Sequence, residues 1–436
     1  MTTYWCEHAL QRSTLTHGAL VEVDEGRITE VHAADTPPAG ARVLRGLVFP
    51  GFANVHSHAF HRALRGRTHH DGGTFWTWRQ AMYRLASRLD PDGYLRLATA
   101  VYAEMAVAGV TVVGEFHYLH HPPGGGRYAE PDAMGEALRE AALAAGIRLT
   151  LLDTCYLTGG IDAPLSPEQQ RFSDGSVAAW AERALSAHDR PGVRAGAAIH
   201  SVRAVPAAGI AELASDVDGR PLHVHVSEQP AENEACLAAY GRTPVQLLAD
   251  CGALGRDTTA VHATHLTATD VELLGSSHTA ACFCPTTEAD LADGIGPARE
   301  LLDAGAPLSL GSDQHAVVDP LVEARSLEYG ERLRTGQRGR LSPDDLVTAL
   351  TSAGNAALGW PHAGRIEPGA PADLVAVRLD SLRTAGCHPS QVVYAATAAD
   401  VHTVVSNGTV VAADGHHERL GDVGRLLHDA IEELWT

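Results

Sequence analysis

The chain has 436 residues, 45% hydrophobic and 20% charged, with a formal net charge of −20. That length permits a large core, and no run approaches the roughly 20 consecutive apolar residues of a membrane span. Binding of nucleic acid rests on Lys and Arg neutralising phosphates, so the acidic balance, with no basic stripe to compensate, argues against a polyanionic partner. All 33 basic residues are Arg, which excludes a Schiff-base lysine, a P-loop lysine and a carboxylated lysine bridging two metals.

In chain order, the opening MTTYWCEHALQRSTLTHG has neither a basic leader nor an apolar h-region, so a soluble, cytoplasmic protein is expected. Up to about residue 45, ALVEVDEGRITEVHA reads as short strands. From there, apolar or β-branched runs alternate with Ala- and Leu-rich segments of helical period. Eight runs can be read: GLVFPGFANVHSH, VTVVGEFHYLHH, IRLTLLDTCYL, VRAGAAIHSVRAV, PLHVHVSE, TAVHATHL, TAACFCPTTE and APLSLGSDQH. Between them lie helix-like stretches such as YLRLATAVYAEMAVAG, DAMGEALREAALAAG and TPVQLLADCGALG, several stopped by Gly. Eight such units predict an α/β fold, a (β/α)8 TIM barrel.

The C-terminal flank returns to strands. ADLVAVRL and VHTVVSNGTVVAADG, with an Asn407-Gly408 turn, read as strands and a hairpin, and DVGRLLHDAIEELWT as a docking helix. The expected division is residues 1–48 as one part of a small β-sandwich and 49–364 as the barrel. Residues 365–436 would then form the rest of the sandwich and the terminal helix. Seven cysteines, Cys6, Cys155, Cys236, Cys251, Cys282, Cys284 and Cys387, lack the spacing of a disulfide framework or zinc ribbon and read as reduced thiols.

Barrel enzymes carry their reactive residues at the C-terminal strand ends. Here strand one ends in His56 and His58, strand two in Glu115, His117 and Tyr118, and strand four in His200 and Arg203. Strand five ends in His225 and Glu228, strand six carries His262 and His265, and strand eight ends in Asp313 and His315. With 25 histidines in the chain, chance gives roughly one or two His-x-His triplets, so the motif alone decides nothing. Its placement on strand ends does: residues two apart point to the same side and can grip one ion. His225 and Asp313, from across the barrel, would complete an N₃O set with room for a water. His223 lies one step deeper and reads as structural. Taken singly, Asp313 could as well be a helix N-cap, Glu228 an exposed loop acid and Arg79 a solvent-facing helix residue.

FPGFANVHSHAF, HVHVSE, VHATH and GSDQH, in this order, resemble the amidohydrolase superfamily, in its mononuclear deaminase branch. Within it, TFWTWRQAMYRLASRL, EFHYLHH, IHSVRAV and TTEADLADGIGP resemble the formimidoylglutamate deiminases, which convert N-formimidoyl-L-glutamate to N-formyl-L-glutamate and ammonia in histidine degradation. The resemblance runs nearly end to end. It implies one divalent ion, zinc, held by His56, His58, His225 and Asp313, with Glu228, His262 and Asp313 catalytic. His61, Arg79, Tyr118, His200 and Arg203 would bind the substrate, the two arginines pairing with its two carboxylates. At His61 the chain departs from the pattern, in which Gln is frequent. A homodimer is expected from the same likeness, with no nucleic-acid or membrane partner. Two rival readings stand beside it: a deaminase of cyclic amidines such as guanine, cytosine or a triazine, and a metal-free barrel that only binds partners.

Overall fold

The structure, a computed structural model, describes residues 1–11, 14–69, 75–217 and 219–436. Four strands open the chain: Thr2–Gln11 (β1), Thr14–Asp24 (β2), Arg27–Ala33 (β3) and Arg42–Pro50 (β4). Eight follow in the middle: Phe52–Ser57 (β5), Val110–His117 (β6), Arg148–Cys155 (β7), Val193–Ile199 (β8), Leu222–Val226 (β9), Thr258–His262 (β10), Ala280–Phe283 (β11) and Leu308–Leu310 (β12). The last four are Leu374–Val377 (β13), Val401–Ser406 (β14), Thr409–Ala413 (β15) and His416–His417 (β16).

Strands β5 to β12 pair in chain order, each parallel to its neighbour. The ring closes where the chain beyond β12 meets β5: Asp313 N donates to His56 O at 2.9 Å, and His58 N to Asp313 O at 3.1 Å. Every residue of β5, β6 and β7 is buried, which explains why these strands read as continuous apolar runs: both faces of a parallel barrel strand are covered. The connecting helices begin and end on ordinary local signals. Pro91–Val107 starts with Asp90 accepting from Gly93 N and Pro91 in the first turn. Ala133–Ala145 stops at Gly146, whose φ of 70° suits glycine, and a Thr243/Gln246 capping box opens Pro244–Asp250.

The termini build one mixed sheet in the order β16-β15-β14-β13-β4-β1-β2-β3. It folds over a core that includes Tyr4, Val21, Ile28, Val48, Leu374 and Val405. Its two hairpin ends reach the same connecting segment, Ala372 N donating to Gly26 O at 2.8 Å and Gly408 N to Ala372 O at 2.9 Å. Asn407 and Gly408, at φ 48° and 76°, make the turn their sequence announces.

One boundary differs from the sequence reading. The first apolar run is two strands, because Phe49 and Pro50 pair with Val375 and Leu374 in the terminal sheet, and the barrel begins at Phe52 rather than residue 49. Gly51 is the pivot: a Cβ there would collide with Thr111 and the Cβ of Asp373, so only glycine lets the chain pass between the sheets. The terminal helix Val423–Trp435 buries Val423, Leu427, Ala430 and Leu434, one face at helical spacing. Trp435 Nε1 fastens it to Ala63 O at 3.0 Å. All seven cysteines are free, with Cys282 and Cys284 packed among Val55, Val112 and Val261 in the barrel. No described helix is long and apolar enough to cross a membrane.

Candidate metal centre and active site

Alternation on β5 sends His56 and His58 inward to one point, while Ser57 between them turns to Glu115. His56 Nε2 lies 3.1 Å from His225 Nε2 and 3.3 Å from Asp313 Oδ1, and His58 Nε2 lies 3.4 Å from the same oxygen. The donor atoms of His56, His58 and Asp313 lie within 4.8 Å of one another, as do those of His56, His225 and His262.

Tautomer fixes what these rings can do. His58 Nδ1 lies 2.9 Å from Phe116 O, and His225 Nδ1 2.9 Å from His200 O. A carbonyl only accepts, so each Nδ1 carries the proton and each Nε2 turns a lone pair to the centre. Burial keeps the rings neutral: it drives His56 and His225 well below the usual histidine range and His58 down to about 3. With its proton held on Nδ1, His58 sets the Nε2 lone pair against Asp313 Oδ1 at 3.4 Å, two acceptors that repel unless a cation lies between them. The three nitrogens and one oxygen therefore fit a divalent metal with an open position.

His58, His225, Asp313 and His262 line a cavity of about 760 Å³, its open mouth included, together with Glu228, His61, Arg79, Tyr118, His200 and Arg203. Every residue assigned from the sequence to substrate or catalysis borders this one space, and His56 lies fully buried behind it. His61 Nε2 is 2.9 Å from Tyr118 Oη, against the edge of Trp78. Arg79 Nε donates to Tyr83 Oη at 2.6 Å. Arg203 Nη2 reaches Glu228 Oε2 at 3.4 Å, and its Nε lies 3.7 Å from the fully buried Glu232.

Carboxylates flank His262 on both sides, with Glu228 Oε1 4.0 Å from Nε2 and Glu288 Oε1 3.5 Å from Nδ1. Burial opposes charge on this ring, yet Glu228, Glu288 and Asp313 together raise it to about 10. The strand ends holding these groups are bent: Ser227, His262, Ala263, Asp313 and His315 all have φ between 42° and 69°. Non-glycine residues adopt that region at a cost of order 1–3 kcal/mol each, and such strain gathers at functional sites.

Four of the histidines at strand ends lie elsewhere. His223 bonds Ala357 O at 3.2 Å, His265 bonds Asp293 O at 2.7 Å, His315 faces Ser57, and the His117 ring neighbours those of Tyr94 and His120. Sequence reasoning gave no role to Glu232, Glu288, Trp78, Tyr156 or Phe172, which border the site or its residues. Glu288 stands within the quoted TTEADLADGIGP block, the one signal that could have marked it; Thr74 of the TFWTWRQ block lies outside the described residues.

The family model described as "amidohydrolase family" matches residues 47–411. Formimidoylglutamate deiminase of Pseudomonas aeruginosa is 37% identical to this chain along the whole of both proteins. An 8-oxoguanine deaminase from the same organism is 32% identical over 94% of this chain and 92% of its own length. Among solved structures, an amidohydrolase from Brucella melitensis superposes with a TM-score of 0.91 at 29% identity, covering both chains entirely.

Proposed function

This chain belongs to the amidohydrolase family and is a hydrolase acting on C–N bonds; from that premise we propose that it deiminates N-formimidoyl-L-glutamate to N-formyl-L-glutamate and ammonia. The reaction serves histidine degradation in the cytoplasm and uses one zinc ion. The observation that carries the reading is a single cavity with a metal-type donor cluster at its base and two arginines, Arg79 and Arg203, on its walls, beside a full-length likeness to formimidoylglutamate deiminase.

His56, His58, His225 and Asp313 would hold the ion. When bound, a divalent ion in such a set lowers the pKa of water toward neutrality. The remaining steps belong to side chains. Asp313, through the carboxylate oxygen not turned to the histidines, takes a proton from water as the new C–O bond forms at the formimidoyl carbon. His262 donates from Nε2 to the new oxygen and offsets its developing charge. Glu228 shuttles two protons to the departing nitrogen, the one Asp313 took from water and the one the new hydroxyl gives up as the C=O bond forms, and the C–N bond breaks to release ammonia. Arg203 and Arg79 pair with the two substrate carboxylates, and the His61–Tyr118 pair offers a donor and an acceptor beside the imine. His200 borders the substrate on the β8 side.

The test is ammonia release from N-formimidoyl-L-glutamate by the zinc-loaded protein, with 8-oxoguanine, guanine and cytosine in parallel. Turnover of the linear amidine supports the proposal; none overturns it. A second reading, deamination of a cyclic amidine, is favoured by the likeness to 8-oxoguanine deaminase and gains if only the cyclic compounds react.

A further inference from the structure

We propose that Glu115, on β6, is a positioning residue for the metal centre, bracing the end of β5 so that His58 presents Nε2 to the ion. Its Oε2 accepts from Ser57 Oγ at 2.6 Å, and its Oε1 from Ala59 N at 2.6 Å. These partners are the residues on either side of His58. The next residue of β6 completes the grip, because Phe116 O takes the proton on His58 Nδ1. Three consecutive residues of β5 and its exit are thus held by two consecutive residues of β6.

The brace continues to another ligand. Ser57 Oγ also lies 3.0 Å from His315 Nε2, two residues beyond Asp313 and in the same bent segment that exchanges backbone bonds with His56 and His58. One carboxylate therefore ties the His56–His58 strand end to the segment that delivers Asp313. Glu115 is fully buried, and no Arg or His lies within ion-pair distance of it among the described residues. A buried carboxylate without a cation is costly unless donors surround it, and an apolar side chain would serve packing alone at lower cost. What a carboxylate does here that an alkyl group cannot is accept from Ser57 and Ala59 at once, fixing the orientation of the ring between them. Outer partners of this kind typically change metal affinity by about 10–100-fold when removed.

The inference rests on the four-ligand reading of the site and not on the substrate. It is tested by measuring the zinc dissociation constant of metal-free protein in competition with a chromophoric chelator, alongside the melting temperature of the metal-free form. Glu115→Gln keeps an acceptor for Ala59 but places a donor where Ser57 donates. It is expected to bind zinc about 10–100-fold more weakly, and Ser57→Ala, which removes the link to His315, about tenfold. Tyr94→Phe removes only a long 3.4 Å bond to Glu115 Oε1 and leaves the Ser57 and Ala59 bonds in place, and is expected to bind zinc nearly as the parent does. Parent-like zinc binding by Glu115→Gln overturns the proposal, as does a loss of affinity equally large in Tyr94→Phe. Should Glu115→Gln fail to fold, Ser57→Ala decides by the same criterion. A parent that takes up no zinc overturns the ligand assignment itself, whereas a parent that binds zinc but leaves formimidoylglutamate untouched overturns only the substrate.

Discussion

A single methyl group at Gly311 tests whether barrel closure sets the metal geometry. Gly311 joins β12 to Ser312 and Asp313, and a Cβ there would lie 2.7 Å from His56 Cβ, 2.8 Å from His56 O and 2.9 Å from His56 N. Ordinary contact begins near 3.4 Å, so the two strand ends must part by the difference, 3.4 − 2.7 = 0.7 Å. None of the opposing atoms is the end of a flexible side chain, so no rotamer relieves the clash. Overpacking of this kind costs about 1–3 kcal/mol, which for a chain of this length is a melting shift of roughly 1–3 °C. The effect on the site is larger in proportion. The same shift strains the bonds from Ser312 N and Asp313 N to His56 O, at 3.0 and 2.9 Å, and moves Asp313 away from His56. Misplacement approaching 1 Å costs up to about 100-fold in rate. Gly311→Ala is therefore expected to lose about 10–100-fold in zinc affinity and in kcat/KM while melting within a few degrees of the parent. Chelator competition, ammonia release and calorimetry read the three quantities. A variant that melts lower yet keeps parent-like zinc affinity and turnover would refute the claim that this closure positions Asp313.

Metal removal by a strong chelator should abolish turnover, and stoichiometric zinc should restore it; full activity in metal-free protein would sink the mechanism. Arg203→Ala should raise KM for a dicarboxylate substrate by about 10–100-fold, the range for a lost bond to a charged group. It should also lower the melting temperature, because Glu232, wholly buried 3.7 Å from Arg203 Nε, loses its cation; an unchanged KM would remove Arg203 from the substrate. Acid stability has a separate source. Burial pushes the Asp153 carboxyl up, but Arg183, 2.6 Å away, and His120 bring it down to about 2 from the usual 3.8. A depressed carboxyl stabilises the fold above pH 3.8 and loses that contribution as pH falls toward about 2, a change of about 2 kcal/mol. Urea unfolding should thus show Asp153→Asn less stable than the parent at pH 6, with the gap closing near pH 2; a constant gap would refute the linkage.

The period of the sequence carried much of this protein. Alternation of two placed His56 with His58, and the β–α rhythm gave eight strand ends at which His225, Glu228, His262 and Asp313 had to cluster if a barrel closed. The Asn407-Gly408 turn and the apolar stripe of the last helix were equally legible, because a hairpin turn and an amphipathic face are written in a few neighbouring residues. The break at Gly51 was not: whether Phe49 and Pro50 extend the barrel or join the other sheet depends on Val375 and Leu374, more than 300 residues away. Nor could the sequence tell that Glu115, Glu232 and Glu288 stand behind His58, Arg203 and His262, since each acts through a partner on another element. The left-handed turns at His262 and Asp313 were likewise beyond it, because neither residue type demands a positive φ. Local pattern decides which residues share a face; which faces meet, and with what strain, is settled only when the barrel closes and brings Ser57 to His315 across 258 residues.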